Sequence, residues 1–450
     1  MKILVCVKIV KGEINPFDES ALECALRLSD DVTVISMGPK STSDVLKPLT
    51  RLGAKVFLIS DSAYAGSDTL ATSYILHTAI NKMEYDLILC GRQSVDGDTA
   101  QVGPMLSAML DCSLVTNAMN VEICDSVAVV TTRSGTEEVS LPALITVERS
   151  YVLRFPSIFS KVGDICTLDN TSLNCDETRC GLQGSPTRVM ETYENERGRR
   201  KCEFISYVEL LPLIDKLMSD DKRISDTLKP KVKLKCVWAI GHEVLEKARE
   251  IAEEVVLIEK SDPAEIAKKV LSEKPDVILW NADLWGRKNA PVAAAILGTG
   301  LCADCTALES DGETLYMYRP AQGGNIVAKI KCVTKPQMAT VRTKSPSSDI
   351  IVSVGRGAYK NLEKAKELAD RLGADLAASR GLVDMDGAPY DMQVGLTGKT
   401  VSPKVYIAIG ISGAIHHTCA IEGADTVIAI NPDKSARIFD YADFGVVESF

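Results

Sequence analysis

The stretch Val405-Tyr-Ile-Ala-Ile-Gly-Ile-Ser-Gly-Ala-Ile-His-His-Thr-Cys-Ala420 decides the fold of the C-terminal part of the chain. An apolar run breaks at Gly410 to Gly413, and a helical pattern then continues to about Gly423, ahead of a second apolar run, Thr426 to Ile430. This succession predicts a βαβ unit. Its turn offers free backbone N–H groups at a helix start, and its small residues let a ligand approach closely. We therefore predict a phosphate-binding turn.

A polar segment precedes this stretch. It contains Ser379-Arg380 and then Asp391-Met-Gln-Val-Gly-Leu-Thr-Gly-Lys399. Two glycines with a hydroxyl between them suit a loop that wraps a ligand better than they suit a core strand. From the residues alone, an ordinary surface turn is an equally good interpretation of this segment.

The composition restricts the class of protein. A length of 450 residues favours about three domains. The net charge of −10 argues against a general nucleic-acid binder, and no apolar run approaches the length of a membrane span. The chain enters a strand directly after Met1, and cysteines such as Cys90 lie inside apolar runs. We therefore expect a cytoplasmic protein with reduced thiols.

The first part of the chain has the pattern of a doubly wound sheet. Apolar strands alternate with helical patterns up to about residue 110, and a polar loop follows the strand Leu87 to Cys90. Ligands of open α/β sheets bind at such strand ends. Asp96 and Asp98 in this loop suit either ribose hydroxyls or helix capping. Beyond the loop, Ser126 to Thr132 and Val139 to Val147 are predicted as strands of an antiparallel extension.

An internal repeat divides the chain into two copies of one fold. Asp86-Leu-Ile-Leu-Cys-Gly-Arg92 corresponds to Asp276-Val-Ile-Leu-Trp280, and Leu141-Pro-Ala-Leu-Ile-Thr-Val-Glu148 corresponds to Lys335-Pro-Gln-Met-Ala-Thr-Val-Arg342. The CxxC motif Cys302 to Cys305 lacks a second ligand pair at zinc spacing, so we predict no metal site there.

The motifs of the C-terminal part closely resemble the FAD-binding domain of the alpha subunit of electron-transfer flavoproteins. The second copy resembles the same subunit through Gly298-Thr-Gly-Leu-Cys-Ala-Asp-Cys-Thr-Ala307 and Arg319 to Asn325. The first copy resembles the beta subunit through Asn15-Pro-Phe-Asp18 and Val95-Asp-Gly-Asp-Thr-Ala-Gln-Val-Gly-Pro104. The chain thus resembles a beta and an alpha subunit fused in one polypeptide.

This resemblance implies a fold class and domain limits. It implies two doubly wound, Rossmann-like α/β domains of the adenine nucleotide alpha hydrolase-like kind and a C-terminal flavodoxin-like or DHS-like FAD-binding α/β domain. The expected limits are 1–218 for the beta-like domain with its C-terminal arm, 219–231 for a linker, 232–346 for a shortened alpha-like domain and 347–450 for the FAD-binding domain.

The resemblance also implies the residues that hold FAD. In the family such residues lie in the loops of the FAD-binding domain, and their equivalents here are Arg356, Gly357, Ser379, Arg380, Gln393, Val394, Gly395, Thr397, Gly398, Ser412, Gly413, Ala414, His416, His417 and Asn431. No set of nucleophile, acid and base is apparent, so we predict no catalytic residue. We expect Arg380, His417 and Thr397 to stabilise negative charge on the reduced flavin.

A second nucleotide is expected in the beta-like part, where family members bind AMP or, in the electron-bifurcating type, FAD. By that analogy its contacts are Asp68, Thr69, Arg92, Asp96, Asp98, Thr99, Gln101 and Gly103. The motif Val95 to Pro104 is more similar to the bifurcating type and favours FAD.

The implied function is electron transfer. Such a protein accepts electrons on FAD from a flavin-dependent dehydrogenase, acyl-CoA dehydrogenases among them, and passes them to another redox partner. One alternative is a bifurcating flavoprotein that oxidises NADH with two FAD, and another is a non-redox module that binds AMP or ATP. The family's partner-recognition segment ends in a lysine-rich run, whereas Pro156 to Asp164 contains a single lysine.

Overall fold

The computed structural model describes residues 1–194, 200–219, 232–321, 326–343, 348–395 and 398–450. The chain forms two compact units. The N-terminal unit comprises Met1–Thr192, Lys229–Gln322 and Ala328–Val341, and the C-terminal unit comprises Tyr193–Leu228, Gly323–Val327 and Arg342–Phe450. Except for Ser219, the linker expected at 219–231 lies outside the described residues.

The first copy is built on a mostly parallel sheet. Its strands are β1 (Lys2–Cys6), β2 (Ile9–Val10), β3 (Glu13–Ile14), β4 (Asp31–Met37), β5 (Lys55–Ile59), β6 (Leu87–Gly91), β7 (Ser113–Cys124), β8 (Val127–Thr132), β9 (Gly135–Ser140), β10 (Ala143–Val147) and β11 (Ile165–Leu168). Its helices are α1 (Pro16–Leu28), α2 (Ser43–Thr50), α3 (Thr69–Ile80), α4 (Val102–Leu110), α5 (Asn170–Leu173) and α6 (Gly181–Gly184). The sheet has the order β11-β5-β4-β1-β6-β10-β7-β8-β9, and β2 pairs with β3 separately.

The prediction of an antiparallel extension is wrong for part of one segment. Val139 to Val147 divides into β9, which pairs antiparallel with β8, and β10, which lies parallel between β6 and β7. Every residue of β10 is buried. A short, mostly apolar segment of this kind is typical of a central parallel strand, because both of its faces are covered.

The second copy repeats this arrangement. The chain between the copies adds β12 (Thr187–Glu194), β13 (Glu203–Phe204) and α7 (Leu210–Ser219). The second copy contains β14 (Leu234–Ile240), α8 (Leu245–Ile251), β15 (Ala252–Ile258), α9 (Pro263–Glu273), β16 (Val277–Asn281), α10 (Leu284–Leu297), β17 (Leu301–Cys305), β18 (Ala307–Ser310), β19 (Leu315–Ala321), β20 (Ile326–Cys332) and β21 (Gln337–Val341). Its parallel sheet has the order β15-β14-β16-β21-β17, and a smaller sheet has the order β12-β20-β19-β18.

Matching hydrogen bonds support the repeat. The order β15-β14-β16-β21-β17 reproduces β4-β1-β6-β10-β7 of the first copy. In the first copy, the hydroxyl of Thr146 accepts from the backbone N–H of Asn117 at 3.0 Å. In the second, the hydroxyl of Thr340 accepts from the N–H of Asp304 at 2.8 Å. The two sequence copies therefore fold alike.

The C-terminal unit is a third parallel sheet. It contains β22 (Ile350–Val354), α11 (Leu362–Leu372), β23 (Asp375–Ser379), α12 (Arg380–Val383), β24 (Gln393–Val394), β25 (Val405–Ile409), α13 (Ile415–Thr418), β26 (Thr426–Ile430) and β27 (Phe444–Val446). The order is β13-β27-β26-β25-β22-β23-β24. The direction of winding thus reverses between β22 and β25, which creates a crevice at their carboxyl ends.

The predicted βαβ unit is present, but its helix is shorter than expected. The helix α13 ends at Thr418, whereas the sequence pattern predicts a helix to about Gly423. Beyond Thr418 the N–H groups of Ala420 and Ile421 bond three residues back, which forms turns in place of further α-helix. Across the described ranges, no helix combines the length and the apolar character that crossing a membrane requires.

Candidate functional site

A cavity of about 320 Å³ opens at the carboxyl ends of β1 and β6. These strands flank the reversal of strand order in the first copy, where open α/β sheets bind ligands. Its lining includes apolar side chains, which are Val7, Ile35, Met37 and Leu76 together with the thiols Cys6 and Cys90. Such a wall suits a planar ring.

Two helix starts supply the polar rim of this cavity. The helix α3 begins at Thr69 and α4 begins at Val102, and both residues line the cavity. Backbone N–H groups and the helix dipole favour an anion at such positions. A Cβ at Gly103 would lie 2.6 Å from Cγ2 of Thr146, so glycine lets α4 approach β10 closely. The cavity thus combines an apolar wall with an anion-binding rim.

Several predicted contact residues have structural partners. Asp68 caps α3 by accepting from the N–H groups of Leu70 and Ala71, each at 3.0 Å. Its second oxygen accepts from the N–H and the hydroxyl of Thr187 at 2.9 and 2.6 Å. Asp68 therefore joins the start of α3 to the chain that follows the first copy.

The acidic loop residues also have protein partners. Asp96 pairs with Lys8 at 2.8 Å, and Asp98 accepts from the side-chain amide of Gln93 at 3.0 Å. The residue at the cap position of α4 is Gln101, so neither Asp96 nor Asp98 occupies that position. Arg92 forms a buried ion pair with Glu148. Thr99 lies in the cavity wall beside them.

The sequence interpretation missed two residues beneath the cavity. Asn15 is the residue just before α1, and its side chain donates to the carbonyl of Gln93 at 2.8 Å and accepts from the N–H of Val95 at 3.2 Å. Asp18 accepts from the N–H groups of Lys8 and Gly91, and burial raises the pKa of its carboxyl to about 7. The motif Asn15 to Asp18 was the available signal, since these residues join the loops after β1 and β6.

The corresponding edge of the second copy is occupied by its own side chains. Lys260 bonds Glu243 at 2.7 Å and Asp283 at 2.9 Å. Beside this cluster the rings of Trp280 and Trp285 stack with centroids 5.5 Å apart. The repeat therefore preserves the fold but not the lining of the cavity.

In the C-terminal unit, the turns after β22 and β25 meet at the reversal of strand order. The N–H of Gly355 donates to the carbonyl of Ile409 at 2.7 Å, and that of Gly357 donates to the carbonyl of Gly410 at 3.1 Å. A Cβ at Gly355 would lie 2.3 Å from that carbonyl oxygen, so the turns pack backbone against backbone. Arg356 and Gly357 are exposed beside them.

The turn after β25 presents its side chains outward. Ser412, Ala414 and His416 are exposed, while Gly413 is buried with φ of 84°. Asn431 braces this turn by donating to the carbonyl of Ile411 at 2.9 Å. Because α13 has four residues, the anion-binding groups of this turn are its own N–H groups and not a long helix dipole.

The second predicted loop is closed at its base. β24 lies beside β23, and the N–H of Lys399 donates to the carbonyl of Gln393 at 2.7 Å. Gly395 and Gly398 form the loop between them, while Thr397 lies outside the described residues. Ser379 and Arg380, at the junction of β23 and α12, are half-buried, and Nε of Arg380 pairs with Asp384 at 3.2 Å.

His417 has an internal position in the C-terminal unit. Its ring is buried and its nitrogens lie 3.0 Å from the hydroxyl of Tyr406 and 3.0 Å from the carbonyl of Val394. A carbonyl only accepts, so Nδ1 carries the proton and Nε2 accepts from Tyr406. Burial lowers the pKa of His417 to about 4. The ring is therefore neutral at pH 7, and the positive charge expected in this region comes from Arg380.

Three α/β sheets, with strand reversals where open sheets of this kind bind ligands, are typical of nucleotide-binding proteins. A comparison with models of protein families identifies the family within this class. The electron transfer flavoprotein domain matches residues 3–154 and 246–370, and the electron transfer flavoprotein FAD-binding domain matches residues 346–422. The chain therefore belongs to the electron transfer flavoprotein family.

Individual relatives agree with this membership. The alpha subunit of the electron transfer flavoprotein from Thermoanaerobacterium thermosaccharolyticum is 42% identical over 231 residues, covering 41% of this chain and 69% of the relative. The beta subunit from the same organism is 42% identical over 200 residues, covering 41% of this chain and 76% of the relative. Protein FixB of Rhizobium meliloti is 37% identical over 228 residues, covering 40% of this chain and 64% of the relative.

Proposed function

We propose that this chain is an electron transfer flavoprotein with beta-like and alpha-like parts fused in one polypeptide. It accepts electrons from a dehydrogenase on FAD and passes them to another redox partner. One observation carries this proposal. The matched FAD-binding region, residues 346–422, contains the turns at Gly355 and Gly410 that meet at the strand reversal of the C-terminal unit.

The residues of the C-terminal unit fit FAD by their chemistry. The free N–H groups of the turn around Gly413 suit its diphosphate, and the loop from Gln393 to Lys399 suits its ring system. FAD supplies the redox chemistry when bound. Arg380 provides a cation beside that loop and favours added negative charge, an effect that strengthens where water is excluded.

We propose an adenine nucleotide as the ligand of the cavity in the first copy. AMP and FAD share an adenosine monophosphate group, and the apolar wall and the two helix starts suit its base and its phosphate respectively. Thr69, Thr99 and the backbone of Val102 and Gly103 are the proposed contacts. Asp68, Arg92 and Gln101 bond protein groups around the cavity, so we propose that they support the shape of the cavity.

An exposed apolar segment is the proposed docking site for the dehydrogenase. Phe155 is 96% exposed and Phe159 is 87% exposed, and Val152 and Ile158 are exposed to a similar degree. Contiguous exposed apolar side chains of this size mark interaction sites, and aromatic residues often dominate their binding energy. Between Pro156 and Asp164 the segment has a single lysine, Lys161. We therefore expect its contacts with the dehydrogenase to be mainly apolar and not ionic.

Electron acceptance is the direct test of this function. The purified chain, reconstituted with FAD, is mixed anaerobically with a flavin-dependent dehydrogenase and its substrate. The proposal expects bleaching of the flavin absorbance of the chain, with no bleaching when the dehydrogenase is omitted. Bleaching of two FAD by NADH alone supports the bifurcating alternative. A chain that binds AMP but takes up no flavin supports the non-redox alternative.

A further inference from the structure

The loop that forms one wall of the first-copy cavity has a constrained backbone. Asp98 and Ala100 have φ values of 50° and 54°, and they flank Thr99, which lines the cavity with Ala100. Residues other than glycine avoid this conformation, so the surrounding structure has to hold such a loop in place. Within the first copy, the N–H of Asp98 donates to the carbonyl of Ser94 at 2.9 Å.

Two buried side chains tie this loop to the second copy. Arg319, on β19, donates from Nη2 to the backbone carbonyl of Asp98 at 3.2 Å. Gln101 donates from Nε2 to the carbonyl of Leu301, on β17, at 3.0 Å. Its Oε1 accepts from the hydroxyl of Thr69 at 2.7 Å. Gln101 thus connects the starts of α3 and α4 with the second copy.

We propose that Arg319 and Gln101 are positioning residues for the nucleotide cavity, through which the second copy sets the shape of the rim in the first. Both side chains act on the loop and the helix starts, and neither needs to contact the ligand. The inference rests on the proposed nucleotide site and extends it, because the site of one copy is complete only with the other. The corresponding edge of the second copy is filled by Lys260 and its partners. The second copy would therefore serve the nucleotide site by supporting the loop of the first copy.

The test uses the full chain stripped of nucleotide, with AMP as the probe. Isothermal titration measures affinity, and amide hydrogen exchange of residues 94–101 measures the order of the loop without any ligand. Arg319→Met removes the donor to Asp98 and is expected to weaken AMP binding about tenfold, the effect of losing one charged hydrogen bond. It is also expected to speed exchange in 94–101.

Matched variants separate positioning from general destabilisation. Lys260→Met removes another cation of the second copy, one that bonds Glu243 and Asp283, and is expected to change neither quantity. Arg319→Lys keeps a donor and is expected to restore part of the affinity. Gln101→Met is expected to act like Arg319→Met, and it carries the test if Arg319→Met does not fold.

Two results distinguish this inference from the proposed function. Wild-type affinity and wild-type exchange in both Arg319→Met and Gln101→Met overturn the positioning role while the nucleotide site stands. Failure of the unaltered chain to bind AMP or FAD at the cavity overturns the nucleotide site. In that case the hydrogen exchange of residues 94–101 still decides whether the second copy holds the loop.

Discussion

The hydroxyl of Tyr406 lies 3.0 Å from Nε2 of the buried His417 inside the C-terminal unit, and it donates to this nitrogen. With Nδ1 bonded to the carbonyl of Val394, the ring joins β25 and α13 to β24, which begins the loop expected to wrap FAD. His417 thereby supports the shape of this loop as an uncharged group. The structure separates this supporting role from that of Arg380, whose charge is permanent.

The pKa of His417 gives the C-terminal unit a defined pH dependence. Its folded pKa of about 4 lies below the ordinary value of 6.5, so the unfolded chain binds more protons between these values. The free energy of unfolding should therefore fall as the pH drops from about 6.5 to about 4, by up to ~3 kcal/mol. Urea unfolding at several pH values measures this, and His417→Gln should flatten the curve. An unchanged pH dependence in that variant would contradict a neutral, buried His417.

Removing the hydroxyl of Tyr406 should destabilise the same unit. Tyr406→Phe leaves Nε2 of His417 buried without a donor, which costs about 1–3 kcal/mol of unfolding free energy. Tyr359→Phe is the control, because Tyr359 is exposed in the same unit. Equal urea midpoints for the two variants would show that the bond contributes nothing.

Gly413 should be essential to the turn after β25. Its φ is 84°, and a Cβ there would lie 2.1 Å from the backbone nitrogen of Ile438, so Gly413→Ala should disrupt the turn and release FAD. Gly373 is a matched control with φ of 60° and open space around its Cβ position. Gly373→Ala should cost only about 1–2 kcal/mol and retain FAD. Flavin absorbance of the desalted proteins compares them, and full flavin content in Gly413→Ala would contradict the proposed site.

Arg380 should raise the reduction potential of the bound flavin. Arg380→Ala removes a cation from the proposed ring environment and should lower the one-electron potential by about 60 mV, the equivalent of a tenfold change. Arg371→Ala, which removes an exposed cation from the end of α11, should leave the potential unchanged. Spectroelectrochemical titration measures both. Identical potentials for the two variants would remove the proposed role of Arg380.

The apolar segment should affect partner binding and not stability. Phe155→Ser and Phe159→Ser together should slow reduction of the flavin by a dehydrogenase at least tenfold, because exposed aromatic anchors contribute about 2 kcal/mol or more to such interfaces. The thermal midpoint should not change. Val208→Ser, which alters a side chain 85% exposed elsewhere, serves as the control. Normal reduction kinetics in the double variant would place docking on another surface.

Periodicity and local motifs predicted much of the fold. The apolar strands, the repeat and the turn at Gly410 follow from residue patterns that depend on neighbours along the chain. The central position of β10 did not follow, because the pairing of a short, buried strand depends on distant partners. The short α13 was also missed, since turns after a helix depend on tertiary contacts.

Residue type did not determine the roles of side chains within the candidate sites. The loop after β6 does line the first-copy cavity, yet within this loop Asp96 bonds Lys8 and Gln101 bonds the second copy. A carboxylate or an amide suits a ligand and a backbone group equally well, so residue type does not decide between them. His417 shows the same limit, because its partners Tyr406 and Val394 come from other strands.

The identity and number of nucleotides released on denaturation test the central claim most directly. Chromatography of the supernatant from the reconstituted chain should show FAD, held by the C-terminal unit, together with a second nucleotide that is AMP or FAD. The FAD held by the C-terminal unit should be lost from Gly413→Ala and retained by Gly373→Ala. A colourless chain that releases no FAD after reconstitution would contradict the account.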